Sequence, residues 1–223
     1  MTLETTCWTV IHAAAGGDND ARAVFAERYL PVVRAYLGAR WRKDSLNAEL
    51  DDAVQDVFVD MFKDRGALDR VEPGRPGGFR AYLYGVVRMV ALRCETRRAR
   101  RRPSEELVAD ALPADEPELQ SVFDRAWSAS LLDQAVKRHR VLAEAKGDKG
   151  RRQVELLRLR FWEDLPIREI ARRWDEQAPK LHKEYARARE SFKRALQEVV
   201  AFHNPGAVGA TELECRRLLA TIP

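Results

Sequence analysis

The sequence predicts an all-α protein in which a flexible linker joins two helical domains. Apolar residues recur at helical spacing along most of the 223 residues, without strand alternation or an Asn-Gly hairpin signal. A stretch rich in Pro and acids at 103–117 interrupts this periodicity, which is typical of a linker. We therefore expect four segments: a first domain at 1–102, a linker at 103–118, a second domain at 119–203 and a tail at 204–223.

The first domain should contain three helices, at 20–41, 48–63 and 78–102. The first of them buries an apolar face that includes Phe25 and Tyr29, and Pro31 should kink or break it. Gly and Pro are frequent at 66–78, so a loop should precede the third helix.

The second domain should contain four helices, at 119–145, 151–162, 166–174 and 178–202. Gly147 and Gly150 should separate the first two of these helices. The tail adds a short amphipathic segment at 212–220. Its residues Leu213, Leu218 and Leu219 are candidates to pack back on the second domain and mask it.

The charges of the chain are segregated although the formal net charge is only +4. Six of the ten residues from Arg93 to Arg102 are Arg, while 49–60 contains five carboxylates and no Lys or Arg. This segregation predicts two surfaces with different partners.

Three cysteines, Cys7, Cys94 and Cys215, lie far apart and form no CxxC motif. Reduced, partly buried thiols are therefore expected, rather than a zinc site or disulfides. The chain shows no signal-peptide pattern, and no apolar run approaches the ~20 residues that span a bilayer. We expect a cytoplasmic protein with no membrane contact, no cofactor and no metal.

A helix-turn-helix is predicted at 165–192, where apolar residues line two helices that flank a short turn. The outward positions of the second helix can donate to phosphates or guanine edges, and they are Lys180, His182, Lys183 and Arg187. An αα-hairpin with solvated cations explains this segment equally well.

The third helix of the first domain combines cations with aromatic residues. On one face it carries Arg93, Arg97, Arg100 and Arg101, which can neutralise phosphates. Upstream, Tyr82 and Tyr84 can stack on unpaired bases. The alternatives are a solvated helix end for the arginines and core packing for the tyrosines.

The second helix carries a polar face opposite its apolar stripe, formed by Asp51, Asp52, Gln55, Asp56 and Asp60. Beside Phe62, these carboxylates suit a basic partner helix. No His or Cys joins them, so a metal site is not indicated, and a solvated face is the alternative.

Taken in order, these motifs resemble the extracytoplasmic-function sigma factors of bacterial RNA polymerase. FAERY at 25–29 and LDDAVQDVF at 50–58 are similar to region two of that family. The resemblance implies that core polymerase is a partner, through its β′ clamp and its β subunit. The residues implied to bind the clamp are Asp51, Asp52, Gln55, Asp56 and Phe62.

GFRAYLY at 78–84 and the Arg run resemble the element that melts and reads the minus-ten promoter element. The resemblance implies DNA contacts by Tyr82, Tyr84, Arg88, Arg93, Arg97, Arg100 and Arg101, with a flipped-out base in the loop at 66–77. EDLPIREIA at 163–171 and YARAR at 185–189 resemble region four. There the minus-thirty-five element would be read by Lys180, His182, Lys183 and Arg187.

The resemblance further implies a protein that is a monomer when free and is controlled by an anti-sigma factor or a Ser/Thr kinase. TCWTV at 6–10 and the tail are similar to a subgroup associated with such kinases. The chain departs from the family at five positions, namely Met89, Asp175, Glu176, Pro179 and Glu184. Asp175 replaces a turn Gly, and Asp tolerates the left-handed conformation that such a turn requires. Glu184 replaces a basic residue and should repel phosphates.

Two other functions fit the same residues. One is a helix-turn-helix regulator that binds duplex DNA as a dimer without polymerase, and the other is a sigma-like interaction adaptor that does not read promoters. An enzyme is not expected, because the sequence contains no phosphate-binding loop, nucleophile elbow or metal-ligand spacing.

Overall fold

The structure, a computed structural model, describes residues 7–42, 45–72, 77–101, 115–203 and 208–220. These residues form helices and turns and no strand, so the all-α prediction is confirmed. No helix among them has the length and apolar character needed to cross a membrane. The α-helices of the described ranges are α1 (Cys7–Ala15), α2 (Asn19–Arg40), α3 (Leu50–Phe62), α4 (Gly78–Arg101), α5 (Glu116–Glu144), α6 (Gly147–Phe161), α7 (Ile167–Arg173), α8 (Ala178–His203) and α9 (Val208–Ala220).

The chain divides into two compact units, Met1–Ser130 and Leu131–Pro223. The sequence places the start of the second domain at 119, but the structure assigns the first part of α5 to the first unit. The physical reason is aromatic packing, because Trp127 stacks on Tyr29 with 5.6 Å between ring centroids. Most of the predicted linker, 103–114, lies outside the described residues.

The core of the first unit is built around Phe25 of α2. Its ring lies 5.5 Å from that of Phe62 in α3 and 5.7 Å from that of Phe79 in α4. Helix α2 begins after Asp18, its N-cap, whose side chain accepts a hydrogen bond from the Ala21 amide at 2.9 Å. Pro31 lies inside α2, which continues to Arg40, so the predicted break does not occur.

Helix α1 is an element that the sequence analysis did not predict. It buries Ile11 and Ala14 against the first unit. Arg22 of α2 fixes it, because its Nε donates to the Ala14 carbonyl and its Nη2 donates to the Phe62 carbonyl, each at 3.0 Å. One guanidinium thus satisfies carbonyl groups at the C-terminal ends of two helices, α1 and α3.

Two glycines shape the connection between α5 and α6. Gly147 adopts a φ of +60° and begins α6, so the helix starts before residue 151, where the sequence places it. Gly150 lies inside α6, and a Cβ built there would stand 2.7 Å from the carbonyl carbon of Ala143. The second glycine is therefore a close-approach position and not a helix breaker.

The second unit has a core at the meeting of α6, α7 and α8, formed by Leu156, Leu159, Ile167, Ile170, Ala171 and Leu181. Helix α9 packs against α8 and buries Cys215 and Leu218. Leu213, predicted to join this contact, is 61% exposed. Cys7, Cys94 and Cys215 are all buried.

Gly150→Ala should destabilise the second unit by about 1–3 kcal/mol, because the added methyl group collides with the Ala143 backbone. The matched control is Gly85→Ala in α4, where a Cβ meets nothing within 4 Å. That substitution should instead raise the free energy of unfolding of the first unit by roughly 0.5–1 kcal/mol, the usual gain from replacing a Gly inside a helix by Ala. Urea unfolding followed by circular dichroism measures both. Equal effects at the two positions would contradict the close approach.

A buried imidazole should make the second unit sensitive to acid. His139 is 3% exposed, packs edge-on against Phe192, and finds no partner for Nε2 among the described residues. Burial, together with the nearby Lys146 charge, lowers the pKa of His139 below its usual value of 6.5. The unfolded chain therefore takes up the proton first, and stability should fall as the pH drops below that value.

His139→Leu should remove part of this pH dependence. The free energy of unfolding, measured at about pH 7.5 and about pH 5.5, should fall less in the variant than in the wild type. His182→Leu is the control, because that ring is exposed on α8. The explanation fails if the loss of stability in acid is the same in His139→Leu and in the wild type.

Candidate functional site

The exposed face of α3 carries the predicted polymerase-binding residues. Its opposite face buries Ala53, Val54, Val57 and Met61. Because these positions point inward, Asp51, Asp52 and Gln55 are exposed. Asp51 is ion-paired with Arg34 of α2, and both side chains remain open to solvent.

Phe62, the apolar member of this set, contributes to the core. It is half-buried, and its ring lies 6.0 Å from that of Phe58. The Arg22 guanidinium stands 5.5 Å from its centroid on one side. Phe62 can therefore offer only part of its ring to a partner.

The acidic face of α3 and the arginine face of α4 meet in one groove. Arg97 pairs with Asp56 at 2.8 Å, and Arg93 pairs with Asp60. The groove is lined by Asp56, Val59, Asp60, Met89, Leu92, Arg93, Thr96, Arg97 and Arg100. The sequence predicts two separate charged surfaces, but the structure places them side by side. Of the predicted DNA-contacting arginines, Arg101 has a side chain that the structure does not describe.

The two predicted base-stacking tyrosines lie on opposite sides of α4, as residues two apart on a helix do. The Tyr82 hydroxyl donates to the Ala67 carbonyl, and its ring is half-buried. Tyr84 packs edge-on against Tyr36 of α2 and Phe123 of α5, with centroids 5.6 and 5.2 Å away. Burial raises the pKa of Tyr84 to about 12. Its ring contacts match the core-packing alternative.

A buried ion-pair network beneath Tyr84 was not predicted. Arg40 of α2 has a side chain only 7% exposed. It donates to Glu95 of α4 at 2.6 Å and to Glu116 of α5 at 2.8 Å. Burial alone would lower the pKa of Arg40, but hydrogen bonds to the two carboxylates outweigh it and raise the pKa. The sequence feature that could have identified Arg40 is its position four residues after Tyr36, which places it on the buried stripe of α2.

Glu116 also binds the predicted DNA-contacting residues of α4. It accepts from the Tyr84 hydroxyl at 3.1 Å and pairs with Arg88 at 3.3 Å. Hydrogen bonds from Arg40 and Tyr84 lower the pKa of Glu116, although burial opposes the shift. Glu116 is therefore held as a carboxylate at neutral pH.

In the second unit, α7 and α8 are joined by a tight turn at 174–177. Asp175 adopts a φ of +49°, which confirms the left-handed conformation expected at this position. Leu181, fully buried, anchors the start of α8 on the core of the unit. The outer face of α8 exposes His182, Lys183 and Arg187, and α9 does not cover these residues.

Arg152 of α6 contacts both the turn after α7 and helix α8. The sequence analysis did not identify this residue. Its guanidinium lies 4.3 Å from the centroid of Trp174, and its Nε donates to Glu184 at 3.0 Å. It also lies 3.5 Å from Glu176, which pairs with Lys180 at 2.7 Å. Glu184 is thus ion-paired and turned toward α6. This pair with Arg152 would offset part of the repulsion of phosphates that the sequence analysis expects from Glu184.

The family comparison covers part of the first unit. Residues 25–102 match the family model of sigma-70 region 2, from the Phe25 core through α3 to the arginines of α4. No curated protein matches the chain. The match supports a sigma-70 family protein, a role in transcription initiation and core RNA polymerase as partner. The second unit lies outside the matched residues.

Arg40→Leu should destabilise the first unit by about 1–3 kcal/mol, because Glu95 and Glu116, both half-buried, lose their charged hydrogen-bond donor. Arg34→Leu is the matched control, since it removes one exposed pair on the same helix and should cost about 0–1 kcal/mol. Thermal and urea unfolding of the two variants give the comparison. Similar losses in both would show that the Arg40 network is no stronger than a surface pair.

Proposed function

We propose that the chain is an RNA polymerase sigma factor of the extracytoplasmic-function type. It is a non-enzymatic subunit that works in the cytoplasm, binds core polymerase and directs promoter-specific transcription initiation. The observation that carries the proposal is the match of residues 25–102 to sigma-70 region 2, with the exposed acidic face of α3 inside it.

Binding to polymerase is assigned to α3. Asp52 and Gln55 stand exposed on the helix surface, with Asp51 and Asp56 beside them. A basic helix of the β′ clamp can pair with such a row of carboxylates. Asp51 and Asp56 must exchange their pairs with Arg34 and Arg97 when it does, and exposed pairs cost little to exchange.

Promoter contacts are assigned to both units. In α4, the row of Arg93, Arg97 and Arg100 can follow a DNA backbone once the carboxylates of α3 engage polymerase. In α8, the exposed side chains of Lys180, His182, Lys183 and Arg187 can donate hydrogen bonds in the major groove of a minus-thirty-five element. The left-handed turn at Asp175 joins the two helices, and Arg152 contacts Trp174 and Glu184 on either side of this turn.

A sigma-like adaptor that does not read promoters is the second candidate. The position of Tyr84 favours it, because the ring is packed against Phe123 and the hydroxyl is held by Glu116. Both candidates bind polymerase, and only the sigma factor yields promoter-dependent RNA.

Asp52→Arg should weaken binding to core polymerase at least tenfold, because it places a cation where a basic partner helix docks. Asp64→Arg is the control, since it makes the same charge change at an exposed position just beyond α3. Affinity is measured by fluorescence titration of labelled chain with core polymerase, and RNA synthesis from a promoter template is measured in parallel. If Asp52→Arg binds as tightly as Asp64→Arg, the docking face is misplaced.

A further inference from the structure

One stripe of α4 combines two predicted DNA contacts, Tyr84 and Arg88, with a further cation, Arg80. Arg80, Tyr84 and Arg88 follow one another at intervals of four residues, so they lie on the same face of the helix. Two guanidinium groups on either side of a phenol ring suit a single nucleic acid strand. Guanidinium groups pair with phosphates, and an aromatic ring stacks on a base.

The first half of α5 lies over this stripe and supplies a carboxylate to each cation. Asp124 pairs with Arg80, while Glu116 pairs with Arg88 and accepts from the Tyr84 hydroxyl. The two helices therefore run antiparallel, because the earlier residue of α5 meets the later residue of α4. Carboxylate oxygens take the positions that phosphate oxygens would take, since both bind guanidinium groups in the same way.

Apolar packing holds the acidic stripe of α5 in place. Between the two carboxylates, Phe123 is 1% exposed and places its ring 5.2 Å from that of Tyr84. Glu116 is also ion-paired with Arg40 of α2 at 2.8 Å. The ion pairs to Arg80 and Arg88 remain partly open to solvent, so a competing polyanion can reach them.

We propose that residues 116–130 of α5 act as an internal competitor for single-stranded DNA on the stripe formed by Arg80, Tyr84 and Arg88. This inference rests on the proposed function and adds its regulation. The described arrangement is the closed form, in which Glu116 and Asp124 occupy the cations. When phosphates displace Glu116 and Asp124 from the two cations, Arg80 joins Tyr84 and Arg88 as a DNA contact.

In the closed form, the apparent affinity for DNA is reduced by the fraction of molecules in which the stripe is open. Neutralising one carboxylate of α5 raises that fraction without changing the stripe itself. We expect a gain in affinity of about fivefold for one such change, at the lower end of typical coupling between sites.

The test compares full-length variants that each lose one negative charge. Glu116→Gln and Asp124→Asn remove the carboxylates from the two ends of the stripe. Glu118→Gln is the matched control, because Glu118 is exposed in the same turn as Glu116. The probe is a fluorescein-labelled oligothymidylate of about 12 nucleotides, followed by fluorescence anisotropy. Circular dichroism verifies that each variant is folded.

Glu116→Gln and Asp124→Asn should bind the oligonucleotide about fivefold more tightly than the wild type, while Glu118→Gln binds like the wild type. An equal gain in all three variants would show a general charge effect and overturn the proposal. No gain in Glu116→Gln and Asp124→Asn would also overturn it, including the case in which no protein binds the probe.

Transcription with core polymerase separates this inference from the proposed function. If the wild type supports promoter-dependent RNA synthesis and the α5 variants gain no affinity, the competitor is wrong and the sigma function stands. If the α5 variants bind the oligonucleotide more tightly and the wild type neither binds polymerase nor initiates, the competitor stands and the sigma function is wrong.

Discussion

The buried guanidinium of Arg40 is the constraint on which the first unit depends. A charge removed from water needs partners of opposite charge, and α4 and α5 supply them as Glu95 and Glu116. Three helices are thereby held at one point. The position of Tyr84 follows from the same network, because its hydroxyl shares Glu116 with Arg40. A structural ion pair and a candidate DNA contact are thus parts of one arrangement.

Opposite charges recur wherever the candidate sites lie. The carboxylates of α3 face the arginines of α4, and the acids of α5 face Arg80 and Arg88. Pairs of this kind are exposed and contribute little to stability, so external partners can replace them. Binding of polymerase or DNA is then an exchange of ion pairs, which agrees with a chain of modest net charge whose charges are strongly segregated.

Helical periodicity predicted most of the fold, because each helix buries a continuous apolar stripe that can be read from local spacing. The extents of α2 and α8 and the left-handed Asp175 followed from local rules. Contacts between distant residues could not be read in this way. Glu116 lies 76 residues after Arg40, and nothing local pairs them. For the same reason the candidate site was predicted face by face, while the meeting of α3 with α4 and the cover provided by α5 were not.

The most direct test of the central claim is run-off transcription on fragmented genomic DNA with matched core polymerase, with and without this chain, followed by sequencing of RNA 5′ ends. If the chain is a sigma factor, some start sites should occur only in its presence. These sites should share two upstream elements, one contacted by α4 and one by α8. Binding to core polymerase without any new start site would contradict promoter reading and favour the adaptor. Absence of binding to core polymerase would contradict the assignment of α3 and of the sigma function with it.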